Sequence, residues 1–148
     1  MKLEATCDES TLDIEGSAEG LRDLARQIEQ CSGTCELLLT KDPAKKTVGL
    51  GNTRTISILL GAGPVNIFHS QGAVTISGSK QKLNVLAENI LWLANQDGGS
   101  KDSEITNHIH VEYHPGHFYL AETAIPMVLS RVDTEGDETP RPKQQSIN

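Results

Sequence analysis

The chain repeats itself. Residues Leu12–Ile28 align without a gap on Val74–Ile90 at an offset of 62, with identities at Ile14/Ile76, Gly16/Gly78, Ser17/Ser79, Leu21/Leu83, Leu24/Leu86, Ala25/Ala87 and Ile28/Ile90. A repeat constrains the fold strongly, because two copies of one unit must bury their apolar faces against each other or against a shared partner. Each copy opens with alternating apolar residues (Leu12 and Ile14; Val74 and Ile76), the period of a half-buried strand. Gly16 or Gly78 then lets the backbone turn, and Ser17 or Ser79 is placed to cap a helix. Apolar residues follow at i, i+3, i+4 and i+7 (Leu21, Leu24, Ala25, Ile28; Leu83, Leu86, Ala87, Ile90), one stripe along an amphipathic helix. The spacing predicts helices near Ala18–Cys31 and Lys80–Asn95.

The flanks repeat more loosely. Short strands are expected before each corner, at Lys2–Cys7 and Val65–His69, and after each helix, at Cys35–Thr40 with Thr55–Leu60 and at His108–Tyr113 with Ile125–Val132. Gly61-Ala62-Gly63-Pro64 reads as the hinge between copies. The expectation is an α+β fold: two ββαββ pseudo-repeats, with antiparallel sheet covered on one face by two helices. Residues 1–133 would form one domain, split into 1–62 and 63–133, and the polar tail 134–148 would be disordered.

Composition removes several classes of function. Thirteen Lys and Arg against twenty Asp and Glu give a formal charge of −7 with histidines neutral, the wrong sign for displacing counterions from nucleic acid. No run approaches the ~18 apolar residues of a membrane helix, and the N-terminal residues lack the order of a secretory signal. Cys7, Cys31 and Cys35 fit neither a disulfide framework nor a common zinc or redox motif, so a reducing cytoplasm is the expected setting. Acids crowd the first thirty residues, including Asp8, Glu9 and Asp13. Such a surface either attracts a basic protein or simply keeps the chain soluble.

Duplicated units share what the fold needs, so differences between them point to function. Val85 and Trp92 lie opposite the apolar stripe of the second helix, where the first helix has Asp23 and Gln30. An outward Trp suggests a contact surface; the alternative is that a loop or strand covers it. The other distinctive stretch, His108 to His117, holds four of the five histidines. On a strand, His108, His110 and Glu112 face one way and Ile109, Val111 and Tyr113 the other. His108, His110 and Glu112, with His114 and His117 nearby, could ligate a divalent metal or serve acid–base chemistry. They could equally form a polar recognition patch. GxSxG, P-loop, HExxH and GxGxxG signatures are all missing, so catalysis is not expected and no cofactor is required.

The segment Leu12-Asp-Ile-Glu-Gly-Ser-Ala-Glu-Gly-Leu-Arg-Asp-Leu-Ala, followed by a His-x-His strand, a Pro-Gly turn and a terminal strand at Ile125–Val132, resembles the bacterial immunity protein family 32. The similarity is closest over Val74–Val132; the chain departs from the family in its doubled unit, in Lys82 where the first copy has Gly20, and in its acidic tail. The resemblance implies a non-catalytic cytoplasmic protein that neutralises the cognate toxin of a polymorphic toxin system by direct binding. Under that reading Val85, Trp92, His108, His110, Glu112, Asp8, Glu9 and Asp13 are candidate partner-binding residues. Two rival readings are a metal-binding protein or metal-dependent enzyme using the histidines, and a homodimer joined through the second helix.

Overall fold

Both helices form where the apolar stripes place them, in a computed structural model that describes residues 3–7, 10–39, 52–70, 72–96 and 108–132. Helix α1 spans Ala18–Gln30 and α2 spans Lys80–Ala94. Ser17 Oγ accepts the Gly20 N–H at 3.0 Å, and Ser79 Oγ accepts the Lys82 N–H at 3.2 Å. Each serine thus satisfies a donor that the first helical turn leaves over. The stripe residues of both helices are buried in one core, shared by the two copies.

The strands are β1 (Leu3–Cys7), β2 (Leu12–Gly16), β3 (Thr34–Leu38), β4 (Asn52–Thr53), β5 (Thr55–Leu60), β6 (Asn66–Ser70), β7 (Ala73–Gly78), β8 (His108–Val111) and β9 (Met127–Arg131). With the two-residue β4 set aside, each copy is ββαββ. The fold is α+β, as the repeat predicts. The strand pairing refines the expectation of an antiparallel sheet. Two sheets form, in the orders β4-β1-β2-β9-β8 and β3-β5-β7-β6. Every antiparallel pair lies within one copy, whereas the two parallel pairs, β2 with β9 and β5 with β7, join the copies. Each sheet therefore combines the first hairpin of one copy with the last strands of the other, and both sheets are mixed. The proposed tail, 134–148, lies outside the described residues.

Helix C-termini carry unsatisfied carbonyls and partial negative charge, and neither helix has a basic residue in its last turn. Cations from elsewhere fill the gap. The buried Arg131 guanidinium donates through Nη1 to Ala94 O at 2.9 Å and Gln96 O at 2.5 Å, ending α2 against β9. Arg22 on α1 reaches Asn95 Oδ1 at 2.9 Å, and Lys80 Nζ donates to Glu29 O at the end of α1.

The hinge is pinned onto the second corner. The Gly61 N–H donates to Gly78 O at 2.8 Å, and the Ser79 N–H donates to Gly63 O at 3.0 Å. A Cβ on Gly78 would lie 3.1 Å from Val65 Cα and 3.3 Å from Pro64 O, both backbone atoms. Gly78→Ala must therefore push the hinge away, and is expected to cost about 1–3 kcal/mol. A lowered urea midpoint with an unchanged slope checks this.

Candidate functional site

The sheet containing β8 carries the distinctive polar face. Alternation sends Leu3, Ala5, Cys7, Leu12, Ile14, Met127, Leu129 and Val111 into the core. Their neighbours point outward in two rows set by the register. One row is Glu4, Glu15, Ser130 and His108; the other is Thr6, Asp13, Val128 and His110. Three carboxylates on β1 and β2 thus share a surface with two imidazoles on β8, one strand, β9, lying between. The spacing of adjacent strands puts the β2 carboxylates about 10 Å, and Glu4 about 14 Å, from the β8 imidazoles. The His108 and His110 rings meet edge to face, their centroids 5.2 Å apart. Glu112, just past the strand, is exposed. Asp8 and Glu9 lie outside the described residues.

This arrangement suits recognition. Among the described residues, no group of three or more His, Cys, Asp or Glu is placed to hold a metal ion. His108 and His110 are exposed on the strand and Glu112 just past it, while His114 and His117 belong to the turn beyond. The metal reading therefore gains no ligand cluster from this geometry. Cys31 is buried and points its thiol at Ile58 O, 3.6 Å away, and the thiol of Cys35 is pushed above its usual pKa chiefly by hydrogen bonding with Cys31.

Beyond β8 the chain turns through Pro115 and Gly116 and comes to rest on α2. Phe118 O accepts from Lys82 Nζ at 2.6 Å, and the Tyr119 hydroxyl accepts from Asn89 Nδ2 at 2.9 Å. Lys82, Val85, Asn89 and Trp92 form one stripe of the helix at steps of three and four. The turn segment is thus anchored on both sides of Val85, which is half-buried and packed against the core. Trp92, one turn beyond the last anchor, keeps 54% of its surface exposed, and Phe118 keeps 67%. The candidate residues consequently fall on two surfaces. The acids and imidazoles face outward from the sheet, and Trp92 stands on the helix side of it.

Sequence reasoning missed Glu4 and Glu15 as site members. Their alternation with Leu3, Ala5, Ile14 and Gly16 was visible, but not that β1 and β2 share a sheet with β8. It also missed the ring cluster of the turn. His117 Nδ1 accepts the N–H groups of Tyr119 at 3.3 Å and Leu120 at 3.1 Å, so that nitrogen carries no proton. The imidazole stacks on Phe118, with centroids 6.0 Å apart, and meets Tyr119 edge-on at 4.7 Å. Desolvation, and then the nearby His114, lower its pKa. Burial likewise pushes the Tyr119 phenol up, against the opposing effect of Asn89.

A family model described as Immunity protein 32 matches residues 11–43 and 73–132, more than half of the chain. The two matched blocks open at equivalent points of the two copies and take in β2, α1, β7, α2, β8, the imidazole turn and β9. No curated protein and no solved structure matches it.

The turn should respond to acid. With its folded pKa below the ordinary 6.5, His117 contributes stability that is fully present above pH 6.5 and is lost as pH falls through the folded value. An NMR titration should place the His117 midpoint below 6.5. His117→Ala should remove that part of the pH dependence and speed hydrogen exchange at the Tyr119 and Leu120 amides.

Proposed function

The chain belongs to the immunity protein 32 family, and from that premise we propose that it neutralises a cognate bacterial toxin by direct binding in the cytoplasm, without catalysis and without a cofactor. The observation that carries the docking surface is the carboxylate-lined outward face of the β8-containing sheet. Glu4 and Glu15 stand directly opposite each other on neighbouring strands, with Asp13 in the next row. A basic toxin surface would be steered to this face at long range and would meet His108, His110 and Glu112 on its flank.

Trp92 supplies a second anchor on the helix side. Its indole is large, exposed and rigid, the kind of side chain that dominates binding energy once desolvated. A partner engaging both surfaces would wrap the β8 margin of the sheet. No helix among the described residues is long and apolar enough to cross a bilayer.

The test is association with the cognate toxin. Asp13→Lys with Glu15→Lys should slow association about tenfold or more at low salt, and association of the unaltered protein should slow as salt rises. Trp92→Ala should instead speed dissociation, by about tenfold for a central anchor. Circular dichroism confirms that the variants fold. Unchanged binding in both variants would overturn the interface, and failure of the unaltered protein to bind or inhibit that toxin would overturn the function.

A further inference from the structure

Two thiols meet at the end of the first helix, and we propose that Cys31 and Cys35 form a reversible disulfide, with Cys35 the sulfur that an oxidant reaches and Cys31 the one that closes the bond. Their spacing matches no redox motif, but the chain brings them together. Helix α1 ends at Gln30, Cys31 caps it in extended backbone, and Ser32 and Gly33 lead directly into β3. Both side chains then converge on one residue of β5. The Cys31 thiol points at Ile58 O, 3.6 Å away, and Cys35 stands directly across from Ile58 in the β3–β5 register. Alternation along β3 turns Cys35 and Leu37 toward the core and leaves Thr34, Glu36 and Leu38 exposed. The Cys35 sulfur hydrogen-bonds with Cys31 and accepts the Ser32 backbone N–H, which seats it against the end of α1. All three cysteines are free thiols, and Cys7 is on β1, in the other sheet.

Exposure divides the roles. Cys31 is buried, whereas Cys35 is partly exposed on a strand that, among the described residues, pairs only with β5. Such an edge strand can draw toward the helix as the sulfurs close, with one set of pairings to carry along. A hydroperoxide therefore meets Cys35 first. The Cys35 thiolate attacks the outer oxygen, the O–O bond breaks, and the departing oxygen takes up a proton to leave as an alcohol, or as water from hydrogen peroxide. Cys35 is then a sulfenic acid. The Cys31 sulfur attacks the Cys35 sulfur, the S–O bond breaks, and the hydroxyl leaves as water with the Cys31 proton. Two thiols have lost two protons and two electrons, and one hydroperoxide has been reduced.

The hydrogen bond with Cys31 and then burial hold Cys35 protonated, against the Ser32 amide and the Lys80 ammonium, so the reaction is slow at neutral pH and quickens as pH rises. In a reducing setting the pair rests as thiols and closes only under oxidative stress. Closure clips the end of α1 to β3 around Ser32, Gly33 and Thr34. Gly33 O accepts the Leu60 N–H at 2.8 Å, so the clip steadies the point where β3 joins β5.

The inference does not depend on toxin binding, and hydrogen peroxide added to the purified full chain tests it separately. Three free thiols should fall to one, the mass should drop by two hydrogens, and peptide mapping should link Cys31 to Cys35. A dithiol should restore all three. The rate should rise about tenfold per pH unit near neutrality, following the thiolate fraction. The oxidised protein should exchange its Leu60 amide more slowly. Cys31→Ala should stop at a Cys35 sulfenic acid, trapped by dimedone. Cys35→Ser, at the partly exposed position, should keep both remaining thiols, and it carries the test if loss of the buried thiol unfolds the chain. Three thiols that survive the treatment overturn the proposal. So does a link through Cys7 or between two chains, or a rate that ignores pH.

Discussion

Two parallel strand pairs, β2 with β9 and β5 with β7, hold the two halves of this molecule together. Each copy of the unit makes two short antiparallel pieces on its own and leaves one hydrogen-bonding edge of each open. The other copy closes those edges. Separated, the copies would expose β2, β5, β7 and β9 as unpaired edges, an arrangement prone to aggregation. The helix ends repeat the theme, since Lys80 of the second copy caps α1 and Arg22 of the first reaches the end of α2. The hydrogen bonds and the core both run across the repeat boundary, so the molecule has halves in sequence but not in structure.

A symmetric frame frees its surfaces to diverge. The inward rows are apolar in both sheets, because both must cover the same pair of helices. The outward rows answer to no such demand. One has accumulated carboxylates and imidazoles, and the other has kept hydroxyls, alanine and three large apolar side chains. The helices diverged in the same manner: Asp23 and Gln30 of α1 correspond to Val85 and Trp92 of α2. On α2 that stripe also became the seat of the aromatic turn, through Lys82 and Asn89. The proposed binding role would give such asymmetry a purpose, since recognition needs one face unlike the rest.

The sequence was informative where a period or a cap decides the outcome. Strand alternation, the Gly-Ser corner and the i, i+3, i+4, i+7 stripe located both helices to within a residue at each end and identified their capping serines. Alternation also separated His108, His110 and Glu112 from Ile109 and Val111. Alternation specifies which face a side chain occupies, though, and not which strand lies alongside. The exchange of strands between copies was therefore hidden, and with it the juxtaposition of Glu4, Asp13 and Glu15 with the histidines. The outward face of the second sheet was hidden too, because Ile56, Ile58, Leu59 and Leu60 read as one apolar run. Hidden too was the turn from more than twenty-five residues downstream that Lys82 and Asn89 hold against α2, through two hydrogen bonds that no local pattern announces.

The pairing of β2 with β9 spans more than a hundred residues of chain. On the ribosome, the first hairpin must therefore wait for more than a hundred further residues before its neighbouring strand emerges. Nascent chains carry that unfinished border while those residues are made, so this pairing is long-range and intrinsically slow.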